Sequence, residues 1–139
     1  MGMHLPPRRI HLSDTDATGV AYAGRLVDIA LQRLEEALAE AGLDVAAHVS
    51  APAAPAVVHL STDFHRPARL GERLAGSVTL VELGTTSVRF AIKLGTAVTV
   101  TAVLVWVDRQ AGAAAPWPAT TRRRLLRLKP ASTTKRRAR

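Results

Sequence analysis

The sequence predicts an α+β domain in which a single antiparallel sheet packs around one long helix. Three observations lead there. One stretch of the first half repeats its apolar residues at intervals of three and four, and the second half changes to β-branched runs broken by Gly-containing turns. The last of these runs is apolar on both faces, as a central strand with a helix below and a partner sheet above requires.

Residues 8–13 form a short mixed run, read as a strand that ends at the turn-forming SDTDATG. Over residues 25–41, Leu26, Ile29, Ala30, Leu34, Ala37, Leu38 and Ala41 recur at helical spacing, Arg33, Glu36 and Glu40 take other positions, and Gly42 stops the helix. Prolines in residues 45–56 cannot continue a helix, so that stretch reads as a loose connection. Residues 57–64, 73–83, 87–94 and 97–107 are the remaining strands. In the third of these, Val88, Phe90, Ile92 and Leu94 share one face while Ser87, Arg89, Ala91 and Lys93 share the other. In the fourth, Val98, Val100, Ala102, Leu104 and Trp106 oppose Val103, Val105 and Val107, which suggests an oligomer. The run PWPATTRRRLLRL follows as a Pro-bounded turn and a short basic helix.

A chain of 139 residues that is 47% apolar supports one domain with a real core, here residues 1–128. No apolar run approaches the roughly 20 residues of a membrane span, and MGMHLPPRR lacks the apolar segment of a secretory signal, so a cytoplasmic location is expected. The chain has no cysteine, which removes disulfides, thiolate nucleophiles and Cys-ligated zinc. Chemistry falls to carboxylates, His, Tyr or hydroxyls. The net charge of +8 is concentrated at the end, where residues 122–139 hold nine Lys or Arg and no acid. Positions 1–121 then hold ten basic against eleven acidic residues. Residues 129–139 read as a basic, disordered tail, either solvated or docking on an anionic partner such as a carrier protein, RNA or a phosphorylated cofactor.

The segment most suited to chemistry is SDTDATGVAYAGR, between the first strand and the long helix. Asp14 and Asp16 stand two apart. They either shape the loop as an Asx-turn pair, or one caps backbone while the other faces a cleft.

DTDATGVAYAGR followed by a long helix resembles the active-site segment of the 4-hydroxybenzoyl-CoA thioesterase family. FHRPARLGERLAGSVTLVELGTTSVRF and WVDRQAGAAAPWP resemble two further stretches of that family, in the same order, so the resemblance covers nearly the whole chain to about residue 128. It implies a hotdog fold, with a five-stranded antiparallel sheet wrapped around a central helix. It implies hydrolysis of an acyl thioester carried by coenzyme A or an acyl carrier protein, in a homodimer or homotetramer. No metal or separate cofactor is implied, since coenzyme A or phosphopantetheine is part of the substrate.

Carried over by residue, the resemblance makes Asp16 catalytic, as general base or nucleophile, and Asp14 structural. Gly19 permits the tight turn, and the backbone N–H near Ala23 meets the thioester carbonyl, where helix N-terminal donors stabilise an oxyanion. Gly24, Tyr22, His65 and Arg66 join the substrate-binding set, although Tyr22 reads first as packing in the core and His65 first as structural. Many relatives carry an aromatic or His at the position of Ala23 and an aromatic at that of Leu26. The smaller side chains here widen the acyl pocket and leave the acyl group open. Arg66, Arg69, Arg89 and Lys93 are candidates for coenzyme A phosphates, with solvated surface charge the default reading for each, and His59 is a weaker candidate for the site.

Rival readings start from the same residues. DTDAT fits the DxDxT motif of haloacid-dehalogenase-like phosphatases, with Asp14 as nucleophile beside Mg²⁺, but that fold needs alternating helices and parallel strands. A non-catalytic acyl-binding scaffold uses the same architecture. A hydratase or dehydratase of this fold favours a His on the helix, and residues 25–41 contain none. Nucleic-acid binding wants exposed aromatics among basic residues, and the chain has five aromatic residues, most within apolar strands.

Overall fold

The β-branched runs pair into one curled sheet. The computed structural model describes residues 2–130, so most of the expected tail at 129–139 lies outside the described residues. Its elements are β1 (Met3–Arg9), α1 (Ala23–Glu40), β2 (Ala53–Phe64), β3 (Arg73–Leu83), β4 (Ser87–Leu94), β5 (Val98–Asp108), β6 (Ala113–Ala114) and α2 (Ala119–Leu125). The strands run in the order β1-β3-β4-β5-β2, each pair antiparallel, and β6 pairs with Val107 and Asp108 of β5 beyond the end of β4.

The alternation in β4 and β5 becomes the core. Val88, Phe90, Ile92 and Leu94 of β4, with Val98, Val100, Ala102 and Leu104 of β5, are buried together with Leu26, Ile29, Ala30, Leu34, Ala37 and Leu38 of α1. Each fully buried Leu or Ile contributes about 2 kcal/mol relative to exposure, so packing rather than propensity holds α1 in place. The other face of β5 is half-buried, and no second layer within the described chain covers it. The helix ends as Gly42 takes φ +98° and the Leu43 N–H bonds the Leu38 carbonyl at 2.8 Å, a Schellman arrangement.

Four local expectations are corrected. The first strand is Met3–Arg9 rather than residues 8–13, and Leu12–Asp14 forms a 3₁₀ turn. Pro6 and Pro7 disguised it: β1 is an edge strand that bulges between Leu5 and Arg8, where prolines cost no ladder bond. The connection at 45–56 is tighter than expected, because Val45–His48 is a 3₁₀ turn capped by the Asp44 side chain and β2 already begins at Ala53, with Pro55 tolerated on an edge strand. The sheet has six strands, not five, since the two-residue β6 is too short to leave an alternating pattern.

Arg33 is the fourth correction. Expected on the polar side of α1, it is only 7% exposed. Its guanidinium donates to the Pro6 carbonyl and pairs with Glu36 at 3.2 Å. Gly76 on β3 makes the room, since a Cβ there would lie 2.7 Å from the Arg33 Nε.

Candidate functional site

Residues 15–21 fold into a tight hairpin loop at the start of α1. Thr15 and Ala21 form an antiparallel bridge, the Asp16 N–H bonds the Val20 carbonyl at 2.9 Å, and the Gly19 N–H bonds the Asp16 carbonyl at 3.1 Å. A turn closed this way needs a left-handed residue at its exit. Gly19 supplies it, with φ +77°. The loop is braced from outside, where the Ala21 N–H donates to the Ala68 carbonyl at 2.8 Å and the Leu70 N–H to the Gly19 carbonyl at 2.9 Å.

The two aspartates of the loop have opposite environments. Asp14 is fully buried and ion-paired with Arg8 of β1 at 2.8 Å and Arg25 of α1 at 2.7 Å, and it also accepts the His11 N–H at 2.8 Å. The Arg8 contact chiefly, against the opposing effect of burial and with help from Arg25, holds the Asp14 carboxyl far below the usual carboxylate range. Asp16 is exposed. Its Oδ1 accepts the Thr18 hydroxyl at 2.6 Å, the Thr18 N–H at 2.8 Å and the Val20 N–H at 3.3 Å. These donors, the Thr18 hydroxyl first, keep the Asp16 carboxyl ionised to lower pH than usual.

The helix then begins without a side-chain cap. Tyr22 is its extended N-cap residue, and Arg25 and Leu26 donate their N–H groups to the Tyr22 carbonyl at 3.0 and 3.1 Å. The N–H groups of Ala23 and Gly24 have no acceptor among the described residues. Two free donors at the positive end of α1 therefore stand a few residues from the exposed carboxylate.

Beside them lies a groove of about 430 Å³, lined by Val20, Ala23 and Leu26 on one wall and by Phe64, His65 and Arg66 on the other. Of the residues singled out by sequence, Ala23, His65 and Arg66 meet in this groove. Asp16, Gly19, Tyr22 and Gly24 are not part of the lining, although Val20, which is hydrogen-bonded to Asp16, is. Tyr22 is 48% exposed and does not pack in the core. His65 shares a hydrogen bond with the Thr99 hydroxyl at 3.0 Å. Arg66 is largely committed: it donates to the Thr96 hydroxyl at 2.9 Å and the Pro67 carbonyl at 3.0 Å, and pairs with Glu72 at 2.5 Å, which holds the Glu72 carboxyl below its usual range.

The other cations stand elsewhere. Arg89 and Lys93 take the exposed positions of β4, opposite in phase to its buried residues, with Arg89 3.9 Å from Glu82. His59 is exposed on β2, opposite Val103. Among the described residues, no three His, Cys, Asp or Glu side chains gather as a metal site would need, and no helix is long and apolar enough to cross a membrane. Sequence reasoning missed Arg25 and Thr18. The signal for Arg25 was a cation in the first turn of a helix, where the dipole disfavours it unless a carboxylate stands near.

The sequence model of the thioesterase-like superfamily matches residues 10–125. The chain belongs to that superfamily. It is 37% identical over 87 residues to a 1,4-dihydroxy-2-naphthoyl-CoA hydrolase of Crocosphaera subtropica, aligning 62% of each chain. It is 33% identical over 89 residues to the hydrolase of the same name from Rippkaea orientalis, aligning 63% of this chain and 64% of the other. The chain thus spans less than two thirds of the length of the curated relatives it matches. A solved 1,4-dihydroxy-2-naphthoyl-CoA thioesterase from Synechocystis superposes with a TM-score of 0.79 at 22% identity, covering 90% of this chain and 96% of that one, and shows the shared hotdog fold.

In this member of the thioesterase-like superfamily the phosphatase reading of DTDAT fails on the structure. Asp14, its required nucleophile, is buried between two arginines, and the sheet is antiparallel throughout.

Proposed function

We propose that this chain hydrolyses acyl-coenzyme A thioesters, with Asp16 as its catalytic carboxylate. What supports this is an exposed, hydrogen-bonded carboxylate in the loop that leads into α1, the free N–H groups of Ala23 and Gly24 at the start of that helix, and an apolar-walled groove that Ala23 lines. A thioester carbonyl in the groove would accept those N–H groups, which strengthen as its oxygen becomes an oxyanion. Asp16 then either takes a proton from the attacking water or attacks the carbonyl carbon itself to give an anhydride that water cleaves. In both routes the coenzyme A thiolate leaves and is protonated, and both need the ionised carboxylate that Thr18 and Val20 favour.

The named relatives suggest the first substrate to try. A bicyclic aromatic acyl group such as 1,4-dihydroxy-2-naphthoyl suits a groove bounded by Phe64, Leu26 and the small Ala23. An acyl carrier protein is the alternative donor, and a cytoplasmic setting and a homodimer formed along β2 complete the proposal. The test is thiol release from short, long and aromatic acyl-coenzyme A thioesters by the wild type and Asp16→Asn, with folding checked by circular dichroism. A folded Asp16→Asn protein should lose at least about a hundredfold in rate. A folded wild type that releases no thiol from any of them overturns the assignment in favour of an acyl-binding scaffold.

A further inference from the structure

We propose that Thr18 is a positioning residue for Asp16, its hydroxyl holding Oδ1 so that Oδ2 is the oxygen left for reaction. The inference rests on the assignment of Asp16 as the catalytic carboxylate and adds a residue to it.

Asp16 is an exposed side chain on a loop, so packing does not choose its rotamer. Hydrogen bonds must do so. The three that it draws from neighbouring residues all end on Oδ1, at 2.6 Å from the Thr18 hydroxyl, 2.8 Å from the Thr18 N–H and 3.3 Å from the Val20 N–H. The hydroxyl bond is the shortest and falls in the range of charge-assisted O–H···O⁻ bonds. It is also the only one of the three contributed by a side chain, and Thr is restricted at χ1 by its branched Cβ. The donor is therefore itself held in place by the turn that Gly19 closes.

Two consequences follow. An Oδ1 saturated with donors is a poor nucleophile and a poor base, so the reacting lone pairs are those of Oδ2, presented at one orientation. Loss of the hydroxyl would leave only the two backbone N–H groups on Oδ1 and loosen the carboxylate, which lowers the fraction of complexes in a reactive geometry. It would also remove a bond that favours the ionised form, so the carboxylate would protonate at higher pH. Thr18 does not line the groove, so substrate affinity should be indifferent to it.

The experiment compares Thr18→Val, which keeps the shape and removes the hydroxyl, with Thr18→Ala, Thr18→Ser and Asp16→Asn, using whichever acyl-coenzyme A of the panel the wild type cleaves fastest. Thermal melts establish that each variant folds; Thr18→Ala guards against crowding by the added methyl. Thr18→Val and Thr18→Ala should lose about tenfold in kcat at unchanged KM, the size expected for one hydrogen bond to a charged group. The acid limb of their pH–rate profiles should move to higher pH, and Thr18→Ser should restore both. Wild-type kcat and an unmoved acid limb in Thr18→Val and Thr18→Ala, with Asp16→Asn inactive, overturn the inference and leave the Asp16 assignment standing. A raised KM at unchanged kcat also overturns it, by making Thr18 a substrate contact. An active, folded Asp16→Asn removes the assignment and this inference together.

Discussion

Two carboxylates separated by one residue meet opposite fates in this chain. Asp14 turns inward to Arg8 and Arg25, while Asp16 stays in solvent with its Oδ1 capped. The pair was legible in the sequence as chemistry, but the residues alone did not say which member was buried. That depends on Arg8 and Arg25 converging from a strand and a helix, and no local spacing encodes the convergence. The family resemblance supplied the assignment of Asp14 as structural, and the ion pairs give its physical reason. Replacing Asp14 with Asn leaves two arginines facing a neutral group, and breaking a buried pair of this kind costs about 3 kcal/mol. Because its folded-state carboxyl lies far below the unfolded value, its stabilisation is present in full above the unfolded pKa of about 4 and is lost as pH falls below it. Urea melts should therefore show Asp14→Asn clearly less stable than wild type at neutral pH, with the gap narrowing by about pH 3. A gap independent of pH would mean that the carboxylate charge is not what holds the loop.

At the scale of elements, β2 is the anomaly. Its residues, all but Val58, which bulges between Val57 and His59, pair on one side only, with β5, and Val58 at 58% and Phe64 at 50% exposed are large apolar groups on an open edge. Monomeric proteins protect such edges with lysine, proline or short length. Here the strand is long, carries no lysine, and has one proline near the start at Pro55 and a single bulge at Val58, which leave most of the edge open. Antiparallel pairing of β2 with a second copy would cover it, and the middle of Ala53–Phe64 falls at Val58 and His59, so one of these two would meet its own copy at the two-fold axis with the other beside it. Lysine at Val58 would then set like charges opposite or diagonal to each other across the axis. Sedimentation should find the wild type at twice the chain mass and Val58→Lys at the chain mass with unchanged circular dichroism. A monomeric wild type defeats the pairing. The sequence showed β3, β4 and β5 almost to the residue because their alternation is strict. It hid β1 behind two prolines and blurred β2, since an edge strand exposed on both sides has no inward and outward period to detect.

Over the whole molecule, the order of one helix and a run of antiparallel strands was readable because each buried face announces its own period. What sits at each end of the helix was not, since that is decided by packing. The basic helix α2 and the 3₁₀ turn Leu126–Leu128 that follows it lie at the far end of α1 from the Asp16 loop: Arg127 of that turn donates to the Ala41 carbonyl at 2.7 Å, and Arg122 of α2 donates to the Gly84 carbonyl at 2.8 Å. Eighteen helical residues separate the two ends by about 27 Å. The basic cluster therefore does not reach the reacting atoms of its own protomer. In a dimer paired along β2, antiparallel helices would bring the basic end of one protomer to the same side as its partner's Asp16 loop, where it could attract an acidic carrier protein. Residues 131–139 supply four of the nine late cations. Their removal leaves Leu128, which is fully buried, in place. The shortened chain should cleave acyl-coenzyme A at the wild-type rate. On an acyl group carried by an acidic carrier protein at low salt it should be several-fold slower in kcat/KM, and the difference should fade at about 0.5 M salt as screening shortens the field. Equal rates on the carrier-bound substrate at low salt would remove the tail from substrate capture and leave coenzyme A as the better-supported donor.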